Sequence, residues 1–476
     1  MTTDARDFPT AARAALHDAG LQVALRHLKD GFQLKRAAAF ADFPIPFEAL
    51  REQGRAIRAS ALSQLGPLLL QFEAQVQGAG GIVHWARDAA EAREIITRVL
   101  KECGAKTVTK GKSMVTEEIE LNAHLAAQGI APVETDLGEY IIQLRGEKPS
   151  HIVAPAFHLR RSDVEESFRE AHQMLAPARG LNDLPALVGE ARAVLRQHFE
   201  AADAGITGAN FLVAETGTAI IVTNEGNGDL TRLLPRTHIV VTGIEKVVPR
   251  LGDASLLLRL LTRSATGQEI TSYVSFMSGP KRANDADGPE HFHVVLLDNG
   301  RSALLGGPAQ EVLQCIRCGA CMNHCPVYGA VGGHAYGATY PGPLGAALDP
   351  GLDGIVKTYH LPNASSFCGR CETVCPVKIP LTRIMRHWRN EAFAQGIPSS
   401  SFGIGLKLWG WLARRPRLYR LGTAIAARVM RAMAGKHPRL SSLPVLPGWF
   451  AARDLAKPAA TSFQSQWRRR GGADRP

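Results

Sequence analysis

The chain has 476 residues, 45% hydrophobic and 21% charged, a globular composition that excludes wholesale disorder and, at about 150 residues per domain, predicts about three domains. Charge is uneven: residues 401–476 hold 15 Lys+Arg against 2 Asp+Glu, a net of +13, so the +11 of the whole chain comes from the tail and residues 1–400 sum to −2. No run of 18 apolar residues escapes charge or Gly/Pro breaks, and the first residues hold no apolar signal core, which argues against a transmembrane helix or secretory signal and predicts a cytoplasmic protein with reduced thiols.

Residues 1–75 space apolar side chains at helical intervals (Ala12, Leu16, Leu21, Ala24, Leu25, Leu28, then Phe47 to Phe72). They predict amphipathic helices covering a larger domain, with no visible chemistry. From about residue 78 strands and helices alternate. Gly81 to Ala86 reads as a strand and Asp88 to Cys103 as a helix. Thr107 to Lys110 reads as a strand, Thr116 to Gln128 as a helix, and Ala131 to Thr135 and Tyr140 to Leu144 as short strands. That order predicts a parallel β-α-β domain. Between 205 and 247 glycine loops flank apolar runs, as in Gly205-Ile-Thr-Gly-Ala-Asn-Phe and Asn224-Glu-Gly-Asn. Such loops either cradle an anion through backbone N–H groups or are turns needing positive φ. Lys110-Gly-Lys-Ser-Met-Val-Thr-Glu-Glu resembles an anion cradle but lacks the spacing of a nucleotide loop. His151, His158, His238, His291 and His293 are scattered; His291 and His293 would share one side of a strand, a weak metal signal.

Seven of the eight cysteines lie between 315 and 375. Cys315, Cys318, Cys321 and Cys325, followed by Pro326, form C-x2-C-x2-C-x3-C-P. Ser365, Cys368, Cys371 and Cys375, followed by Pro376, repeat the pattern with serine first. Three cysteines at this spacing converge on one iron–sulfur cubane, and the fourth serves the other cluster of a pair. The crossed rule gives Cys315, Cys318, Cys321 and Cys375 to cluster 1. It gives Cys325, Cys368 and Cys371 to cluster 2, with Ser365, water or an external group as fourth ligand, or a three-iron centre. Zinc also takes paired C-x2-C, but this triple spacing is not a usual zinc pattern. Disulfides are disfavoured by a reducing compartment. Cys103 stands apart and reads as a small hydrophobe. The 42 residues between the motifs, 326–367, are longer than a compact β-type ferredoxin needs, and Leu381, Ile384, Met385 and Trp388 follow a helical period. Together they predict a helical two-cluster ferredoxin module.

The tail carries four of the six tryptophans, Trp409, Trp411, Trp449 and Trp467, among dense Arg and Lys, with a short basic helix over Ala424 to Ala434 and a disordered end at 467–472. It predicts a contact with an anionic membrane surface or an acidic partner rather than nucleic acid.

Lys110-Gly-Lys-Ser-Met-Val-Thr-Glu-Glu-Ile-Glu-Leu-Asn, Glu134-Thr-Asp-Leu-Gly-Glu-Tyr-Ile, Gly205-Ile-Thr-Gly-Ala-Asn-Phe, Ala214-Glu-Thr-Gly-Thr, Asn224-Glu-Gly-Asn and the seven-cysteine set with Ala364-Ser-Ser-Phe-Cys-Gly-Arg-Cys resemble the lactate-utilisation iron–sulfur protein family, one of the components of a three-part L-lactate oxidation system. The resemblance implies an α/β plus all-α chain. An N-terminal helical segment occupies 1–75, and a Rossmann-like LUD-type α/β domain, akin to NagB, RpiA and CoA transferases, occupies 76–300. An alpha-helical ferredoxin domain with two [4Fe–4S] clusters spans 305–398, and a basic extension spans 399–476. It further implies that the seven cysteines are the ligands, that Ser365 is the family's own pattern, and that the partners are a cysteine-rich-domain subunit and a smaller LUD-domain subunit. The implied function is electron transfer in the oxidation of L-lactate to pyruvate. Two alternatives stay open: a hydroxyacid-binding enzyme subunit whose open-site cluster is catalytic, and a non-catalytic scaffold with structural clusters.

Overall fold

The computed structural model describes residues 8–476 apart from 177–178, 182, 399, 444–449, 451–452 and 471–476. It divides into two units, residues 1–392 and 393–476. In the first, six parallel strands form a sheet: β1 (Ile82–Ala86), β2 (Thr107–Gly111), β3 (Ala131–Glu134), β4 (Ala204–Thr207), β7 (Thr237–Gly243) and β10 (His291–Leu297). Their order is β1-β10-β7-β4-β2-β3. The central strands are buried along both faces, as a parallel sheet covered by helices requires. A second sheet is made of β5 (Phe211–Val213), β6 (Thr218–Thr223), β8 (Val247–Val248) and β9 (Tyr273–Met277) in the order β8-β5-β6-β9. The chain is thus mixed α/β with a parallel sheet, as expected.

Local signals explain most elements. Asp88 caps the helix Ala89–Glu102 by accepting from Glu91 N, and Ala92, Ile96, Val99 and Leu100 form its buried face. Two expectations are corrected. Tyr140 to Leu144 is not a strand: it lies in the helix Leu137–Leu144, because Asp136 accepts from Gly138 N and Glu139 N and so starts a helix that Tyr140, Ile141 and Ile142 bury. The helix expected from Thr116 to Gln128 is two, Met114–Glu118 and Leu121–Ala127, broken where Glu120 takes φ 50°.

The N-terminal segment is helical over Phe8–His17, Ala19–His27, Leu34–Ala41, Phe47–Ser63 and Leu65–Gly78, with a π-helical turn at Leu28–Gln33. A single apolar core runs from Leu25 and Leu50 of these helices through Phe211, Ile220 and Leu257 to Cys318, Tyr336, Leu348 and Ile384. The cysteine-bearing segment therefore shares its core with the second sheet instead of burying one of its own.

In the second unit the helices are Ser400–Ala413, Pro416–Ala434 and Phe463–Arg469, and Arg439–Leu440 pairs antiparallel with Leu455–Ala456. The basic helix is longer than Ala424 to Ala434. The end expected to be disordered is helical as far as Arg469, since Ser462 caps that helix by accepting from Ser465 N; 471–472 lie outside the described residues. Trp409, Trp411 and Trp467 are exposed; Trp449 lies outside the described residues. Among the described residues no helix is long and apolar enough to cross a membrane.

Candidate iron–sulfur site

The seven cysteines are brought together by two short loops that repeat one another. Arg317 N donates to Cys315 Sγ at 3.3 Å, and at the matching place Phe367 N donates to Ser365 Oγ at 3.1 Å. Arg317 and Phe367 take φ 60° and 53°, and Gly319 and Gly369 take φ 72° and 76°. The helical turns Ala320–Asn323 and Arg370–Val374 follow. Ser365 thus occupies in the second loop the seat that Cys315 occupies in the first. The left-handed turn is natural for glycine and costs the two side-chain-bearing residues about 1 kcal/mol each. Beyond the loops, Tyr328 N donates to Cys325 Sγ at 3.5 Å and Ile379 N to Cys375 Sγ at 3.3 Å.

One apolar-walled cavity is lined by Cys315, Cys318, Cys321 and Cys375, with Leu344 and Ile379 among its walls. Cys325, Cys368 and Cys371 lie near enough to one another for their charges to interact, and Cys321 also feels Cys371. None of the eight cysteines is joined in a disulfide, and Cys103 is exposed. Burial, and then the neighbouring thiolates, push the Cys318 and Cys321 thiols well up; burial takes Cys371 to about 12 and Cys375 to about 11. Exposed Cys368 is lowered instead, by the Arg370 N–H and the Ser366 side chain. Convergent thiols that are hard to ionise alone, with backbone N–H groups aimed at sulfur, suit a cationic iron core that takes up thiolate charge. Arg317 Nη1 is buried without a hydrogen-bond partner among the described residues, a donor that cluster sulfur beside Cys315 would satisfy.

The helices in which the sequence displayed no chemistry supply the scaffold of this site. Arg36 Nη2 donates to Val374 O at 3.0 Å, and Arg51 donates to Cys375 O at 2.8 Å and Glu372 O at 2.7 Å. Arg58, fully buried, donates to Gln314 O, Leu313 O and Val247 O at 3.2, 3.0 and 3.0 Å, and also to Glu245 O. Arg51 and Arg58 are seven residues apart on one helix face, a spacing that in retrospect marks a buried polar stripe. A second network joins the ferredoxin-like segment to the α/β domain. Arg301 pairs with Glu118 and Glu245 at 2.7 Å each, Arg317 reaches Glu245 at 3.3 Å, and Tyr340 donates to Glu118 at 2.7 Å. Burial alone would raise the Glu245 carboxyl, but Arg301 and Arg317 hold it at about 2.

Next to this network lies a cavity of about 530 Å³, lined among others by Lys112, Asp136, Glu139, Asn210, Lys246 and Arg317. The glycine loops and the Lys112-Ser113-Met114 segment do meet here. Lys110 does not: it is buried and paired with Glu134 at 2.6 Å and Glu117 at 2.9 Å, so it offers nothing to an anion. Lys112 pairs with Asp136. Lys246 is buried, and that burial, with Arg317 nearby, lowers it to about 7. The cavity thus carries the Arg317 guanidinium close to Cys315, and the carboxylates of Asp136, Glu139 and Glu225 line it as well. His293 stands 3.0 Å from His84 across β1 and β10, a neutral imidazole pair rather than the metal pair with His291.

The chain matches the LUD domain family over residues 69–297, the 4Fe-4S dicluster domain over 311–379 and the C-terminal domain of lactate utilisation protein B over 403–472. It is 41% identical over 476 residues to a protein from Lysinibacillus sphaericus named lactate utilization protein B, covering 100% of this chain and 99% of that one. It is 41% identical over 474 residues to a protein of the same name from Bacillus pumilus, with 99% and 98% coverage, and 42% identical over 432 residues to one from Bacillus subtilis, with 90% and 89%. The crystal structure of a DUF162 family protein from Deinococcus radiodurans is 15% identical and matches with a TM-score of 0.28, over 49% of this chain and 98% of that chain. On its full-length similarity and its three matched regions, the chain belongs to the lactate utilization protein B family.

Proposed function

We propose that the chain is the iron–sulfur electron-transfer component of a complex that oxidises L-lactate to pyruvate, with two [4Fe–4S] clusters. Cys315, Cys318, Cys321 and Cys375 would hold one. Cys325, Cys368 and Cys371 would hold the other, with Ser365 at the fourth position. The observation that carries this reading is the cavity lined by the first four thiols with the other three beside it, in a chain with a 4Fe-4S dicluster match. Lactate gives up two electrons and two protons on becoming pyruvate, and such clusters, when bound, relay the electrons singly. Arg36, Arg51 and Arg58 fix the two cysteine loops against the N-terminal helices. Arg317 places a fixed positive charge beside Cys315, which favours a more reduced centre. The α/β domain is read as NagB- and CoA-transferase-like. The partners are read as a cysteine-rich-domain subunit and a smaller LUD-domain subunit, and the basic second unit as the contact with an acidic partner or with the inner membrane face.

The cavity at Lys246 and Arg317 favours one second reading: this chain binds the hydroxyacid itself and cluster chemistry acts on it there. Anaerobic mixing with L-lactate separates the two. Electron transfer predicts that the 400 nm absorbance bleaches only when the partner subunits are present. Bleaching of the isolated chain at the same rate would replace it with the second reading.

A further inference from the structure

The helices of the second unit hold cations with no acid among them. Between Glu391 and Asp454 the sequence has no Asp or Glu and ten Lys and Arg. Seven of those cations lie on or between the helices Ser400–Ala413 and Pro416–Ala434.

The apolar side chains of both helices face outward. In Ser400–Ala413, Ile404, Leu408 and Trp409 are 60–65% exposed, and Leu406 and Trp411 are exposed as well. Ile404, Leu408 and Trp411 are spaced i, i+4, i+7 along one side, and Leu406 and Trp409 fall on the opposite side. This helix is therefore apolar around most of its circumference and covered on none of it. In Pro416–Ala434, Leu421, Ile425, Val429 and Met433 make a stripe at steps of four, 50–58% exposed. Arg417, Arg420, Arg428 and Arg431 share the flank beside that stripe. At the turn between the helices the Arg415 guanidinium lies 4.0 Å from the centre of the Trp411 ring, so cation and aromatic are joined there.

Length and shape decide what covers these faces. The 14 residues of Ser400–Ala413 reach about 21 Å at 1.5 Å each, short of the about 30 Å of a bilayer's hydrocarbon core. Among the described residues no helix is long and apolar enough to cross a membrane. A groove on an acidic protein receives one stripe of a helix, whereas here one helix exposes two opposite sides and its neighbour a third face. A lipid surface takes all three together. Tryptophans and aliphatic side chains enter the boundary between headgroups and acyl chains, and arginines on the flank meet lipid phosphates.

We propose that the two helices of residues 400–434 form an amphipathic anchor that lies in the surface of an anionic phospholipid bilayer. The proposal rests on reading the basic second unit as a contact surface, and it selects lipid over a protein partner.

The test is cosedimentation of the full-length protein, purified anaerobically, with vesicles of one part phosphatidylglycerol to three parts phosphatidylcholine, and with vesicles of phosphatidylcholine alone. The expected result is binding to the first kind at least tenfold tighter than to the second, a preference lost in about 1 M salt, where charges are screened within about 3 Å. Arg417→Gln, Arg420→Gln, Arg428→Gln and Arg431→Gln combined weaken binding about 100-fold or more, at about fivefold per cation. Leu408→Gln with Trp409→Gln weakens it about 100-fold. These side chains are exposed, so both variants keep the iron content and melting midpoint of the wild type. No binding to the phosphatidylglycerol vesicles, or binding that both variants retain in full, overturns the anchor. So does a four-arginine variant that falls out of the complex with the partner subunits on size exclusion while the wild type shows no preference for the anionic vesicles, which makes the surface a protein dock. Vesicle binding that fails while lactate-dependent bleaching persists strikes the anchor alone. Bleaching that fails while vesicle binding persists strikes the electron-transfer reading and leaves the anchor standing.

Discussion

Arg58→Met is the sharpest probe of how the N-terminal helices hold the cysteine loops. Arg58 is fully buried and gives four hydrogen bonds to backbone carbonyls, two of them on Leu313 and Gln314 immediately before Cys315. Burial lowers its pKa to about 10, so it is cationic at neutral pH. Charge-assisted bonds contribute about 1.5–3 kcal/mol each, offset by the cost of burying the guanidinium. Removing one member of a buried charged network costs about 3–5 kcal/mol. At about 2.1 cal/mol/K per residue, the 392 residues of the first unit have an unfolding entropy near 0.8 kcal/mol/K. A loss of about 4 kcal/mol therefore lowers the melting midpoint by about 5 °C. Arg58→Lys keeps the charge but not the fork and should recover less than half of this. The assay is an anaerobic circular-dichroism melt at fixed scan rate, with iron counted before heating. A shift below about 1 °C for Arg58→Met, with full iron retention, would refute the claim that this side chain clamps the Cys315 loop.

Three further outcomes follow from other parts of the molecule. Cys371→Ser should remove cluster 2, halve the iron and abolish lactate-dependent reduction in the assembled complex; a scaffold with structural clusters would instead keep reduction and lose assembly, read by size exclusion. Gly205→Ala should destabilise by about 1–3 kcal/mol, because a Cβ there overlaps the Thr231 carbonyl across the central strand; denaturant midpoints check it. Burial, with Arg232 and His293 adding to it, lowers His238 from 6.5 to about 3, and burial lowers His151 to about 4. Their folded pKa values lie below the unfolded one, so their contribution is complete above about pH 6.5 and declines by about 1.4 kcal/mol per pH unit for each as pH falls towards those values. His238→Gln should flatten the dependence of the melting midpoint between pH 7.5 and 5.5 relative to wild type.

The first three parallel strands, Ile82–Ala86, Thr107–Gly111 and Ala131–Glu134, and the cysteine loops are legible because each rests on a local signal: short apolar runs alternating with helical periods, and fixed thiol spacing. Tyr140 to Leu144 misleads because five apolar-rich residues suit a strand or a buried helix equally, and the deciding Asp136 cap lies outside the run. Arg36, Arg51 and Arg58 are invisible for a different reason. An arginine on an amphipathic helix reads as solvent-facing, and only the tertiary fold shows that its partners are carbonyls about 190 to 340 residues away. Lys110 fails in the opposite sense: its motif suggests an anion cradle, but Glu117 and Glu134, one downstream and one on the next strand, neutralise it. The seat of Ser365 needs backbone geometry, since the pattern alone does not tell a lost ligand from a retained position.

The central claim is that seven thiols and one hydroxyl surround two inorganic centres, and an iron and sulfide count with electron paramagnetic resonance on the anaerobic full-length protein tests it most directly. The account predicts about eight iron and eight sulfide per chain and, on reduction, the signals of two magnetically interacting [4Fe–4S] clusters, falling to about four iron in Cys318→Ser. Four iron in the wild type, or zinc filling the cysteine sites in place of iron, would contradict it.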